Sequence, residues 1–133
     1  MSGPFFHIIA DGPKPVAPYS HVVERDGWLF VTGQIANNPA NDSLPLPDGI
    51  EAQTRRVMDN LIHVLRGVGA TLDDVMTVRV FLTEFQRDYA TMNDIYVSYF
   101  KPGKLPARTT VGVTGLARDA IIEIDMIARR AAD

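Results

Sequence analysis

Hydrophobic periodicity changes several times along this chain, between the two-residue alternation of strands and the three-to-four spacing of helices. Between positions 50 and 68 the apolar residues are Ile50, Val57, Leu61, Val64, Leu65 and Val68. This spacing predicts a helix over 50–68 with one buried face. The same spacing predicts a second helix over 85–100, in which five residues are candidates for burial with no ligand role: Phe85, Tyr89, Met92, Tyr96 and Tyr99.

Strand patterns surround the two helices. Residues 5–10 read as a short strand, and the apolar stretches on either side of Asp26-Gly27 predict a β-hairpin, because Asp-Gly suits a two-residue turn. Residues 76–83 alternate as a strand should, and RTTVGVT and AIIEIDMIARR predict a final hairpin. The resulting order, βββαβαββ, favours an α+β sheet with both helices on one face. Its opposite face would need cover, which favours oligomerisation.

Composition narrows the classes of function. A chain of 133 residues with 46% hydrophobic side chains suits one domain over 1–133, in which the Pro-rich stretch 37–49 is a surface loop. The chain has no cysteine, so thiolate metal clusters and thiol nucleophiles are excluded. The net charge is −3 without Lys/Arg clusters, which argues against a nucleic-acid partner. No leader or membrane-spanning run is visible, so a cytoplasmic location is expected.

The last two strands carry the charged residues that suggest chemistry. If they pair as a hairpin with the loop 115–118, their apolar faces match when Thr110 lies opposite Glu123. Arg108 then lies opposite Asp125 and diagonal to Glu123, about 7–8 Å away at the backbone. A guanidinium and a carboxylate at that separation can flank a small molecule. The alternative is a plain cross-strand ion pair between Arg108 and Asp125, with Glu123 solvated.

Seven sequence blocks stand out along the chain: APYSHVV at 17–23, FVTGQI at 30–35, GIEAQTRRVMDNL at 49–61, VRVFLTEF at 78–85, MNDIYVSYF at 92–100, PARTTVGVTGL at 106–116 and AIIEIDMIA at 120–128. Together these blocks resemble the RidA (YjgF-type) family. They cover nearly the whole chain. The most specific parts are the Pro-Ala-Arg run that ends at Arg108 and the Glu123 that follows it fifteen residues later.

The resemblance implies a chorismate-mutase-like fold, assembled as a trimeric barrel with sites at the subunit interfaces. It also implies hydrolytic deamination of reactive 2-enamine and 2-imino acids, of the 2-aminoacrylate and 2-iminobutanoate type, to 2-keto acids and ammonia. Arg108 matches the family arginine that grips the substrate carboxylate, and Glu123 matches the acidic residue that assists the attacking water. Imines already react with water, so neither a metal nor an organic cofactor is expected.

Five further positions match substrate-binding positions of the family: Tyr19, Thr32, Gly33, Asn93 and Thr110. Three of them have a simpler structural explanation: packing for Tyr19, a backbone requirement for Gly33 and a helix-surface position for Asn93. Many relatives carry cysteine where this chain has Thr110. Any thiol-dependent activity should therefore be missing here, although imine hydrolysis is not excluded.

Two other functions stay open at the level of sequence. One is a narrower catabolic deaminase for an aminomuconate-like enamine, which would need an extra basic group in its pocket. The other is a non-catalytic trimeric module, chaperone-like, in which Arg108 binds 2-keto acids. A nuclease function, also described for the family, is disfavoured by the negative charge. His7, His21 and His63 lack the spacing of a metal site.

Overall fold

Six strands and two α-helices follow one another in the predicted order βββαβαββ. The structure is a computed structural model that describes residues 3–131. The elements are β1 (Phe5–His7), β2 (Val22–Arg25), β3 (Trp28–Gln34), α1 (Gly49–Gly67), β4 (Val75–Leu82), α2 (Phe85–Val97), β5 (Ala107–Gly112) and β6 (Ile122–Arg129). Short 3-10 turns at Leu72–Asp74 and Ala117–Asp119 precede β4 and β6. The helix over 85–100 therefore ends three residues earlier than predicted.

All six strands form one mixed sheet in the order β1-β2-β3-β6-β4-β5. The predicted hairpin between β2 and β3 is confirmed, with Arg25 paired to Trp28. Asp26 and Gly27 both have positive φ, at 53° and 81°, as a two-residue turn with the right twist requires.

The predicted hairpin of the last two strands is wrong. β4 lies between β5 and β6, parallel to β5 and antiparallel to β6. Helix α2 connects β4 to β5, and a helical crossover joins strands that run in the same direction. β5 thus becomes the edge of the sheet, and Arg108 is the partner of Val78 rather than of Asp125.

Both helices pack on one face of the sheet, which confirms the predicted α+β fold. The buried side of β6 carries Ile122, Ile124, Met126 and Ala128, which join the apolar faces of α1 and α2 in one core. The opposite face of the sheet, called here the bare face, is uncovered and exposes apolar residues that include Phe6, Phe30 and Val111. Within residues 3–131, no helix is long and apolar enough to cross a membrane.

The predicted loop over 37–49 is confirmed for residues 37–48, while Gly49 is the first residue of α1, and buried amide side chains bind the loop to α1. Asn60 Nδ2 donates to the carbonyl oxygens of Ile35, at 3.0 Å, and Asn37, at 2.9 Å. Gln53 Nε2 donates to the carbonyl oxygen of Pro47 at 2.9 Å. Satisfied buried amides of this kind hold irregular backbone in one conformation.

Candidate functional site

Arg108 projects from the edge strand β5 toward helix α2. Its register partner Val78 is fully buried under the helices, so Arg108 lies on the helix side of the sheet. The guanidinium carbon is 4.9 Å from the ring centroid of Tyr96 and 5.9 Å from that of Tyr89. Among residues 3–131, no carboxylate lies within ion-pair distance of Arg108. Its charge is therefore available to an anion that reaches this edge.

Three buried polar atoms near this edge have no hydrogen-bond partner among the described residues. They are Asn93 Oδ1 and the Tyr96 hydroxyl on α2, and Thr110 Oγ1 on β5. Tyr89, Asn93 and Tyr96 recur at helical spacing on one side of α2, while Arg108 and Thr110 alternate on one side of β5. We call these five residues the Arg108 cluster. Buried polar atoms normally have partners, so unpaired ones mark a place that water or a ligand completes.

Burial disfavours ionisation of the Tyr96 hydroxyl. It raises the pKa of this hydroxyl to about 12, while the charge of Arg108 acts in the opposite direction. The hydroxyl therefore stays protonated at neutral pH. The Arg108 cluster thus presents hydrogen-bond donors and a positive charge together, which suits an anionic ligand.

A separate cavity of about 540 Å³ opens on the bare face, and we call it the sheet-face pocket. Its lining includes Tyr19, Thr32, Gly33, Arg79, Thr109 and Asp125. A β-bulge in β3 shapes its floor: Val31 pairs with Met126 and Gln34 with Ile124, so Thr32 and Gly33 together oppose the single residue Asp125.

Glu123 lies beside this pocket, in the same row of the bare face as its strand partner Phe81. The carboxylate packs so closely on Gly33 that a Cβ at position 33 would be 2.3 Å from Glu123 Oε2. Desolvation by burial raises the pKa of Glu123 above its ordinary value of 4.5, and the nearby Asp125 raises it further. A half-buried carboxyl with a raised pKa holds its proton more readily than an exposed one, which suits a group that must both accept and donate a proton.

Tyr19 reaches the sheet-face pocket from the segment between β1 and β2. The buried His21 holds this segment: its Nδ1 accepts from the backbone N–H of Ile9 at 2.8 Å, and its Nε2 contacts the carbonyl oxygen of Pro13. The Tyr19 hydroxyl accepts from the backbone N–H of Val16 at 3.1 Å, which leaves its own proton free to donate.

Asp125 is paired with Arg79 rather than with Arg108. The two are strand partners on β6 and β4, and their side chains form two hydrogen bonds, Nε to Oδ1 at 3.0 Å and Nη2 to Oδ2 at 2.6 Å. The alternative in which Arg108 and Asp125 form a cross-strand ion pair is therefore wrong. The acceptor capacity of Asp125 is largely used within the sheet.

The structure thus divides the predicted site residues into two groups on opposite sides of the sheet. Arg108, Asn93 and Thr110 lie on the helix side, whereas Tyr19, Thr32, Gly33 and Glu123 lie on or beside the bare face. The predicted proximity of Arg108 and Glu123 within one chain is wrong, because successive side chains alternate and β4 separates the two strands.

Two further cavities lie outside the predicted site. One, of about 610 Å³, lies between the loop around Pro47 and the turn at Arg118, and none of the predicted site residues lines it. The other, of about 310 Å³, lies beside Arg66 and Leu72 and is mainly apolar. Among residues 3–131, no group of three or more His, Asp or Glu side chains is placed to hold a metal ion.

Comparison with protein families gives a match that covers most of the chain. The model described as Endoribonuclease L-PSP matches residues 9–130. A RutC family protein of Pyrococcus horikoshii is 40% identical over 118 residues, covering 89% of this chain and 91% of the relative. A mouse protein named 2-iminobutanoate/2-iminopropanoate deaminase is 33% identical over 116 residues, covering 87% of this chain and 84% of the relative.

Solved structures of similar sequence share the fold. The crystal structure of Escherichia coli TdcF with bound serine superposes with a TM-score of 0.85 at 29% identity, covering 93% of this chain and 98% of that one. The similarity therefore covers nearly the whole of both chains.

Proposed function

This chain belongs to the RidA/YjgF family, which the Endoribonuclease L-PSP model describes, and we propose that it hydrolyses 2-imino and enamine acids to 2-keto acids and ammonia. One observation carries this proposal. Arg108, on one side of the sheet, has no ion-pair partner among residues 3–131, and the carboxyl of Glu123, on the other side, is desolvated. The mouse relative named as a 2-iminobutanoate/2-iminopropanoate deaminase supports the class of substrate.

Arg108 is proposed to bind the substrate carboxylate. A guanidinium offers two parallel N–H donors, so it sets both the position and the orientation of a small carboxylate. No carboxylate of residues 3–131 neutralises it. The unpartnered Asn93 Oδ1 and Thr110 Oγ1 are then available to the polar atoms of the ligand. TdcF with bound serine supports a ligand of amino-acid size in a protein of this fold.

Glu123 is proposed to move the protons. Water adds to the carbon of the N-protonated imine and gives one proton to the carboxylate, which leaves a neutral tetrahedral carbinolamine. The protonated Glu123 then returns that proton to the nitrogen. The C–N bond breaks, ammonia leaves, and the C=O bond of the keto acid forms as the hydroxyl proton passes to the Glu123 carboxylate, from which ammonia takes it up as ammonium. A raised pKa suits both proton transfers, because Glu123 must accept and then release a proton at the same pH.

A site that uses both residues must be completed by a second copy of the chain. Within one chain Arg108 and Glu123 face opposite sides of the sheet, so no single ligand of a few heavy atoms touches both. The exposed apolar residues of the bare face, Phe30 and Val111 among them, favour burial against another subunit. A closed trimer in which the Arg108 cluster of one subunit meets the sheet-face pocket of the next satisfies both requirements.

The sheet-face pocket favours small monocarboxylate substrates. Tyr19 contributes a hydroxyl proton, and the bulge at Thr32-Gly33 contributes a close backbone surface. The one arginine that lines the pocket, Arg79, is already bound by Asp125 with two hydrogen bonds. A larger diacid of the aminomuconate type would need a further uncommitted cation. This observation favours the broad deaminase over the narrower catabolic one.

Mixed trimers test the composite site. Subunits carrying Arg108→Ala and subunits carrying Glu123→Gln would be co-expressed with different tags, and trimers containing both would be isolated by sequential purification. In a cyclic trimer of either mixed composition, one of the three interfaces joins an intact Arg108 to an intact Glu123. We expect mixed trimers to recover about one third of wild-type activity, although each parent is nearly inactive.

The assay is 2-keto acid release when a threonine dehydratase supplies 2-iminobutanoate. The control is a doubly tagged trimer in which every subunit carries Arg108→Ala, and it should stay inactive. If mixed trimers were as inactive as trimers made of either single variant alone, the shared site would be refuted. Wild-type trimers that bind 2-oxobutanoate but do not accelerate its release would indicate the non-catalytic binding module.

Gly33→Ala is expected to lower activity about tenfold or more, because the new Cβ would displace the Glu123 carboxylate by about an ångström. The side chain of Glu123 can rotate away from the new methyl group, so the substitution should lower activity while changing Tm little. Gly115→Ala is the matched control, since a Cβ there meets nothing within 4 Å. Equal activities of the two variants in the coupled assay would show that the place of Glu123 is unimportant.

A further inference from the structure

The guanidinium of Arg108 rests on an aromatic surface formed by α2. Its carbon is 4.9 Å from the ring centroid of Tyr96 and 5.9 Å from that of Tyr89, both within the distance at which a cation is attracted to a ring face. Tyr96 is the stronger partner, because it is nearer and only 5% exposed, whereas Tyr89 is 37% exposed. Desolvation strengthens a cation–π contact.

The ring of Tyr96 is itself held in place. Its centroid is 4.8 Å from that of Phe100, at an interplanar angle of 45°. It also belongs to the buried core with Met92, one turn earlier on α2. A ring packed in this way offers the same surface to Arg108 in every molecule.

Arg108 has no other fixed partner among the described residues. It forms neither an ion pair nor a hydrogen bond with any side chain or carbonyl of residues 3–131, in contrast to Arg79 and Arg130, each held by a carboxylate through two hydrogen bonds. A long side chain without partners samples several rotamers, and this freedom must be lost on binding. The aromatic surface is therefore what restricts Arg108 before the ligand arrives.

We propose that Tyr96 is a positioning residue, whose ring holds the Arg108 guanidinium in the orientation that receives a carboxylate. The inference rests on the proposed role of Arg108 in the deaminase site. The ring, rather than the hydroxyl, performs this task. The hydroxyl has no partner among the described residues, so its removal leaves no other group unpaired.

Arg108 mobility gives a test that needs neither turnover nor ligand. The order parameter of the Arg108 Nε–Hε bond, from ¹⁵N relaxation, is expected to fall in Tyr96→Leu and to stay at the wild-type level in Tyr96→Phe. Pentafluorophenylalanine at position 96 preserves the shape and removes the negative ring face, so it is a second variant in case Leu disturbs the core. An unchanged order parameter in both the Leu and the fluorinated variant would overturn the inference.

Ligand binding gives the second readout. Tyr96→Leu is expected to weaken 2-oxobutanoate binding, and to raise KM more than it lowers kcat, by about tenfold relative to Tyr96→Phe, which keeps the ring and lacks only the hydroxyl. In an Arg108→Ala background, the Tyr96→Leu and Tyr96→Phe variants should bind 2-oxobutanoate equally. Equal losses for Tyr96→Leu with and without Arg108 would overturn the inference. Failure of the proposed deaminase activity would give a different result: turnover would be absent, while the order parameter of Arg108 would still depend on the ring at position 96.

Discussion

Arg108→Ala is expected to reduce keto-acid release about 100-fold or more, because the substrate carboxylate loses a bidentate, charged hydrogen-bond partner in a partly buried site. The loss should appear in kcat/KM measured with 2-iminobutanoate generated in the assay. Arg108→Lys should recover little, since an ammonium cannot reproduce the planar pair of donors or rest on Tyr96 in the same way.

The matched control for this prediction is Arg66→Ala. Arg66 is exposed on the last turn of α1 and lies away from both the Arg108 cluster and the sheet-face pocket. Arg66→Ala removes the same charge and the same number of atoms as Arg108→Ala. Comparable losses in the two variants would assign the effect to net charge, and full activity of a folded Arg108→Ala protein would refute the carboxylate clamp.

Much of the architecture follows from periodicity alone. The three-to-four spacing over 50–68 predicts α1 to within one residue at each end, and the Asp26-Gly27 turn is where the sequence places it. In β6, the alternation correctly predicts a buried face at Ile122, Ile124 and Met126. These elements are predictable because a single interface, that between the helices and the sheet, determines which side chains are apolar.

The neighbour of each strand is not predictable in the same way. Alternation specifies which side of a strand is buried, but it carries no information on which strand lies beside it. β5 and β6 are close in sequence, which favours a hairpin. However, α2 connects β4 to β5 as a helical crossover, so β5 pairs with β4 and runs parallel to it. The two strands therefore enclose β4 instead of pairing with each other.

The predicted pairing of Thr110 with Glu123 also implies that Arg108 and Thr110 lie on the outward face of β5, and the structure contradicts this for a reason connected with the site. Arg108 and Thr110 look like the outward side of the strand because they are polar, but they face α2, while Thr109 and Val111 lie on the bare face. An edge strand is only partly covered by its helix, so polar residues can remain on the helix side. Departures of this kind from the hydrophobic pattern are expected where residues serve function rather than folding.

Glu123→Gln is expected to lower turnover about 10²- to 10⁴-fold, because glutamine can neither accept the proton of the attacking water nor return one to the nitrogen. The wild-type rate should fall as pH decreases through the pKa of Glu123, which burial raises above 4.5. The residual rate of Glu123→Gln should lack this acidic decline. Glu51→Gln, at an exposed position on α1, is the matched control.

Stability should respond to the same substitution in the opposite direction. Since folding raises the pKa of Glu123, the stability associated with its protonated form is present below the unfolded-state value and is lost as pH rises through the folded-state value. At neutral pH, glutamine avoids the desolvated charge, so Glu123→Gln should have a Tm equal to or above that of the wild type. The gap should close below pH 4.5, where both side chains are neutral. A lower Tm at neutral pH, together with full activity, would mean that Glu123 stabilises the fold instead of serving the reaction.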